Sequence, residues 1–238
     1  MPINEIENHP YLFDQVNNFQ GKDPLAKYCK LIVGTFPIYA ITNSNPPIAP
    51  LGVQKRALWF LEAFIQYFYG SRKNYFWRLF ATAFNEPVPI TKQQAIELLD
   101  KYKFLMTDVF TETGRIGYSS LDSALVNSVE NGNIIDLIQN SENLRIIYFT
   151  SWNAKKLFSR IVVIPFVKII DNIQPIFGVQ YRMIVLISPA GNGRTVSHFK
   201  GVFPLLQEEK DNRTNGNGYA LAYRQRYYSN YLPIPCQI

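Results

Sequence analysis

Along the chain, short runs of consecutive apolar residues alternate with longer stretches in which apolar positions recur every three or four residues. The first pattern reads as strand buried on both faces, the second as amphipathic helix. "CKLIVGT" (29–35) is a β-branched run closed by Gly34 and followed by Pro37, which predicts a buried strand feeding a loop. "FLMTDVF" predicts a second strand ending near Asp108, "LRIIYFTS" a third, and "YRMIVLIS" a fourth that runs into the Pro/Gly loop "SPAGNGRT". Between the strands, Leu58, Leu61, Ile65 and Phe68 stand at helical spacing, so a helix is expected from about 51 to 69, stopped by Gly70. A further helix is expected over 74–84, and "ITKQQAIELLDKY" predicts another with Thr91 as its N-cap. After a polar connection, the serines of "SSLDSALVNSV" suit a helix start, with Asp122 favoured there by the helix dipole; "NIIDLIQ" and "NAKKLFSRI" also read as helical.

Strands separated by helices imply right-handed crossovers and a mainly parallel sheet covered on both faces. The expected fold is therefore α/β, a three-layer α/β/α sandwich with a central four-stranded sheet, built as one domain over residues 1–238. A site in such a fold lies beyond the carboxyl ends of the strands. That rule nominates "GTFP", "TDVF", "FTSWN" and "SPAGN". The least regular region, 207–218, is expected to be a mobile surface loop.

Composition adjusts this picture modestly. With 238 residues and 47% hydrophobic content the chain can bury a large core. Lys and Arg outnumber Asp and Glu by 24 to 18, a net charge of +6 that favours a polyanionic partner. Two distant cysteines, Cys29 and Cys236, suggest neither a disulfide framework nor a metal site, and a reducing, cytoplasmic setting is expected. The polar, acidic start "MPINEIENHPYLFDQ" does not read as a secretory signal, and no apolar run approaches the ~18 residues of a membrane span. The "NRT" at Asn212 is then a chance sequon. No GxxxxGK[ST], GxGxxG after a strand, HExxH or paired CxxC occurs. Only His9 and His198 are histidines, which argues against a His-centred triad or a His-rich metal site. Chemistry is left to carboxylates, amides and backbone dipoles, with no metal or cofactor.

One segment stands apart: "FYGSRKNYFWRLF" (68–80) surrounds Arg72, Lys73, Asn74 and Arg78 with aromatic rings. Taken with "HPYLF", "LIVGTFP", "TDVF", "SSLDSAL", "NAKKLF" and "LISPA" in that order, it resembles the uracil-DNA glycosylase superfamily, closest to the DNA-deoxyinosine (hypoxanthine-DNA) glycosylase branch. The resemblance spans about His9 to Asn192, and "FYGSRKNYFW" is its most specific part. It implies a monomeric, monofunctional hydrolase that flips a deaminated base, uracil or hypoxanthine, out of single- or double-stranded DNA and cuts its N-glycosidic bond. The alternative is a protein of the same fold that binds nucleic acid or a nucleobase without cleavage.

The resemblance assigns Asn74 a catalytic role, orienting water or the base, although the same residue suits a helix N-cap before "YFWRLF". It places Gly34, Thr35, Phe36, Pro37, Tyr69 and Gly70 around the base, and Arg72, Lys73, Ser188, Pro189, Ala190, Asn192 and Arg194 against DNA. Asp108, at a predicted strand end, is the second catalytic candidate; such a residue can also cap the following turn. Phe36 stands where relatives often carry Asp or Asn, Leu186 and Ile187 where they often carry His or Asn, and Thr150-Ser151 replace an Asn-Gly pair. Arg72 and Lys73 replace a Pro and an Arg. The tail "YALAYRQRYYSNYLP", with Tyr223, Tyr227, Tyr228 and Tyr231 among Arg224 and Arg226, reads as a helix packed on the core or as a DNA-touching surface.

Overall fold

A computed structural model describes residues 6–11, 25–36, 65, 67–70, 74–116, 125–189, 199–211 and 218–236. In chain order the strands are β1 (Glu7–Asn8), β2 (Lys30–Gly34), β3 (Phe104–Asp108), β4 (Phe110–Arg115), β5 (Leu125–Glu130), β6 (Ile146–Phe149), β7 (Asp171–Ile176) and β8 (Val179–Val185). The helices are α1 (Phe76–Phe84), α2 (Lys92–Lys101), α3 (Asn133–Asn140), α4 (Trp152–Ile161), α5 (Gln207–Asp211) and α6 (Gly218–Tyr231).

The main sheet has the order β3-β2-β6-β8-β7, with the first four strands parallel and β7 antiparallel at the edge. All four expected strands are present, but the sheet has five strands rather than four. The extra one, "DNIQPI", carries polar residues and Pro175, which dilute a strand pattern and which an edge strand tolerates. Its hairpin to β8 turns through Phe177 and Gly178, both at positive φ (49° and 81°), the backbone that a two-residue hairpin loop requires.

The in-register pairing puts Ile32, Met106, Tyr148 and Ile184 on one face, and Val33, Thr107, Phe149 and Val185 on the other. Helices α1 and α6 cover the first face. Phe80 and Phe84 of α1 meet Phe104 at 5.0 and 5.9 Å, while Tyr148 Oη donates to the Tyr231 carbonyl. Helix α4 covers the second through Phe158 on Phe149 at 5.1 Å. Three layers result, and strands enclosed on both sides need unbroken apolar runs. Thr91 caps α2 by accepting from Gln94 N–H, and Ser151 caps α4 by accepting from Ala154 N–H. Among the described residues no helix is long and apolar enough to cross a membrane.

Other expectations are corrected. Residues 111–115 are not a polar connection, nor is 125–130 helical: they form β4 and β5 of a second, antiparallel sheet with order β1-β4-β5. Its polar side chains pair across strands, Thr113 with Ser128 at 2.7 Å and buried Arg115 with Glu7 at 3.0 Å, so a polar sequence still makes strands. Asp122 lies outside the described residues. So does most of the helix expected at 51–69, whose final residues form a hydrogen-bonded turn instead. In place of a loop beginning at 207, α5 spans Gln207–Asp211; 212–217 lie outside the described residues. Cys29 and Cys236 are joined as a disulfide with their Cα atoms 5.8 Å apart, a pairing their sequence separation of 207 conceals. In the tail, Tyr223, Tyr227, Tyr228 and Tyr231 are buried, so α6 packs on the core as the first of the two readings holds. Its phenols serve the sheet: Tyr227 Oη donates to the Val185 carbonyl and Tyr228 Oη to that of Ile187.

Candidate active site

At the carboxyl ends of β2 and β3, Gly34 stands in register with Asp108. The backbone continues the ladder past the strand ends, with Val109 N–H donating to Gly34 O and Phe110 N–H to Thr35 O. Asp108 therefore occupies a rigid position on the face shared with α1. Its side chain is only 3% exposed. Oδ2 lies 2.9 Å from His9 Nε2, whose ring is fully buried. The other ring nitrogen, Nδ1, accepts from Tyr11 N–H at 3.1 Å, so the imidazole proton sits on Nε2 and is donated to the carboxylate.

Asp108 Oδ1 is buried and, among the described residues, has no hydrogen-bond partner. Leaving a buried carboxylate oxygen unmatched costs at least about 1–3 kcal/mol, so the position needs a reason. The neighbourhood supplies one in Gly34. A Cβ there would lie 2.1 Å from Oδ1 and 1.9 Å from Tyr69 Oη, so only glycine lets the two oxygens share this space. The two distances bound the separation of the oxygens at 4.0 Å. Tyr69 Oη also lies 3.1 Å from Thr150 Oγ1, at the end of β6.

Tyr69 reaches this point through a costly backbone. Its φ is +56°, left-handed for a bulky residue, a conformation costing about 1–3 kcal/mol. The turn is held by Gly70 N–H to Tyr67 O, Ile65 N–H to Gly70 O and Trp77 Nε1–H to the buried Phe68 carbonyl at 2.7 Å. Gly70 is required for the same packing, since a Cβ there would lie 1.7 Å from Ile65 O. Rings complete the wall: His9 meets Phe68 at 4.9 Å and Phe36 edge-on at 5.5 Å, and the Arg115 guanidinium lies 6.0 Å from the Phe36 ring centre.

Asn74 lies at the same end of the sheet. Its Oδ1 accepts from Phe76 N–H at 2.9 Å, in the turn just before α1, where Tyr75 is the N-cap residue. The next amide, Tyr75 N–H, donates to Pro189 O, which joins the segment to Ser188-Pro189 beyond β8. Phe76 meets Tyr69 at 4.7 Å and so links the Asn74 turn to the Asp108 cluster. Buried Arg224 approaches Tyr75 and Tyr228, and burial holds its guanidinium below the ordinary arginine range.

Of the expected site residues, Gly34, Tyr69 and Asp108 converge directly, with Thr35, Phe36 and Gly70 beside them and Asn74, Ser188 and Pro189 one turn away. Pro37, Arg72, Lys73, Ala190, Asn192 and Arg194 lie outside the described residues. Asp108 does not cap its own turn with its side chain, because Oδ2 is directed to His9. His9, which the sequence reading did not name as a site residue, adjoins this cluster through its contact with Asp108. Its only signal in the sequence was the lead-in "HPYLF".

No family model matches the chain. No curated protein matches it either. Among solved structures it is similar to the solution NMR structure of a "putative Uracil DNA glycosylase" from Methanosarcina acetivorans, at 17% identity and a TM-score of 0.45, covering 87% of this chain and 91% of the other.

Proposed function

We propose that the protein is a DNA glycosylase that everts a deaminated base, uracil or hypoxanthine, and hydrolyses its N-glycosidic bond. The observation that carries this reading is the buried Asp108 carboxylate, steadied by His9 on Oδ2 and unpartnered on Oδ1, at the carboxyl edge of a parallel sheet. The ordered motifs from "HPYLF" to "LISPA" support the same class. Asp108 takes a proton from a water molecule as its oxygen attacks C1′ of the sugar; the C1′–N bond breaks and its electron pair leaves with the base. The negative carboxylate also offsets the positive charge that develops on the sugar. Phe36 stacks on the everted base, within a pocket formed with Gly34, Thr35, Pro37, Tyr69 and Gly70. Asn74 presents its amide nitrogen to the base or the sugar, its oxygen being engaged by Phe76 N–H.

Arg72, Lys73, Ser188, Pro189, Ala190, Asn192 and Arg194 contact the DNA strand, giving salt-dependent affinity to a monomer that requires no cofactor or metal. One observation favours the second reading, binding without cleavage. Leu186 and Ile187 are fully buried and apolar, so the segment before Ser188 offers the departing base no polar side chain there.

The test is abasic-site formation on oligonucleotides carrying uracil, hypoxanthine or xanthine, with Asp108→Asn and Asn74→Ala as comparisons. Base-dependent strand breaks that fall at least about 10²-fold in Asp108→Asn support hydrolysis. Tight binding with no abasic product on any lesion establishes the binding-only alternative.

A further inference from the structure

The unpartnered Asp108 oxygen does not stand alone, because a second hydroxyl is brought to it at structural cost. Tyr69 Oη lies within 4.0 Å of Asp108 Oδ1 across the bare backbone of Gly34, and 3.1 Å from Thr150 Oγ1. An aromatic residue at φ +56°, fastened on both sides by buried hydrogen bonds, is not what packing alone would select. Resting on the hydrolytic reading, we propose that Tyr69 and Asp108 together form the seat of the nucleophilic water, with Thr150 orienting the Tyr69 hydroxyl.

At 4.0 Å or less the two oxygens leave no room for a water on the line between them, so the water bridges them from one side, donating one hydrogen to Asp108 Oδ1 and exchanging a second hydrogen bond with Tyr69 Oη. That arrangement aims one lone pair outward, toward the sugar. On attack the water oxygen bonds C1′, its proton passes to Asp108, and the base departs with the electrons of the broken C1′–N bond. The abasic sugar keeps the new hydroxyl. Tyr69 loses no proton overall; it holds the oxygen in line, which is where most of its effect lies. His9 is a positioning residue, since it fixes the carboxylate through the other oxygen. The role differs from a base-stacking wall, in which the ring of Tyr69 would matter and its hydroxyl would not.

Tyr69→Phe separates the two, because it keeps the ring and removes only the oxygen. With single-turnover cleavage of the preferred lesion as readout, Tyr69→Phe is expected to lose at least about 10-fold in rate, and Thr150→Val less. Affinity for an oligonucleotide carrying an uncleavable 2′-fluoro analogue of that lesion is expected to stay at the wild-type value, and the melting temperature to fall by no more than the roughly 1–6 °C that loss of the Thr150 hydrogen bond carries. Wild-type cleavage by Tyr69→Phe overturns the water seat and leaves the glycosylase reading standing. A rate loss matched by an equal loss of affinity, or accompanied by a larger fall in melting temperature than the lost hydrogen bond accounts for, also overturns it, in favour of a structural role. If the wild-type chain makes no abasic site on any lesion, the hydrolytic reading falls and the water seat falls with it.

Discussion

Substituting Gly34 by alanine adds one methyl group at the point where β2 meets the candidate site. The new carbon would stand 1.9 Å from Tyr69 Oη, 2.1 Å from Asp108 Oδ1 and 3.0 Å from Tyr69 Cζ. Contacts under 3.0 Å essentially never occur, so each oxygen must retreat by about 1 Å merely to reach the tolerable limit. Neither can do so freely. Asp108 is tied to His9 at 2.9 Å, and Tyr69 to Thr150 at 3.1 Å on a turn already held in a left-handed conformation. Overpacking of this kind costs about 1–3 kcal/mol, which for a chain of this size lowers the melting temperature by roughly 2–12 °C. The catalytic effect should be larger than the structural one, because displacing reacting groups by about 1 Å can cost 10²-fold in rate. Calorimetry and single-turnover cleavage of a uracil or hypoxanthine oligonucleotide measure the two separately. Gly132→Ala is the control: a Cβ there meets nothing within 4 Å, and the backbone is already right-handed (φ −61°), so stability should hold or rise. A Gly34→Ala protein with unchanged melting temperature and unchanged cleavage would refute the packing argument.

Two further outcomes follow from buried charges. Glu7→Gln removes the negative charge beside the Arg115 guanidinium, which is 1% exposed, and should cost up to about 3–5 kcal/mol in chemical denaturation; a loss under 1 kcal/mol would mean the pair is solvated in solution. Lys30 and Lys155 are both lowered by burial from the ordinary 10.5 to about 8. Between about pH 8 and 10 the unfolded chain therefore keeps protons that the folded chain has released, and stability rises with pH, by at most about 1.4 kcal/mol per pH unit for each lysine. Above about pH 10 the trend reverses, since burial raises the phenols of Tyr148 and Tyr227 and the unfolded chain ionises first. Urea unfolding from pH 7.5 to 10 measures the slope, and Lys155→Met should flatten it; a pH-independent wild type would contradict both lysine assignments.

The layers of the fold are legible in the local pattern of the chain. "CKLIVGT", "FLMTDVF", "LRIIYFTS" and "YRMIVLIS" each became a central parallel strand, because burial on both faces demands an unbroken apolar run that is visible locally. Thr91 was legible as a cap for the same reason, its partner being three residues away. Asp108 and Gly34 could be nominated from their places at strand ends.

The distant partners are set by the packing of the fold. His9 reaches Asp108 across 99 residues and Arg115 reaches Glu7 across 108, while Cys29 meets Cys236 across 207. Each depends on which edges and loops the fold brings together, and no local periodicity records that. The polar strands β4 and β5 were hidden likewise, because their side chains are satisfied across the sheet rather than along the chain. Tyr69 shows the limit most clearly. The motif placed it only among the residues around the base, whereas its left-handed backbone and the space over Gly34 place its hydroxyl beside a carboxylate, a geometry that exists only once β2, β3 and β6 lie side by side.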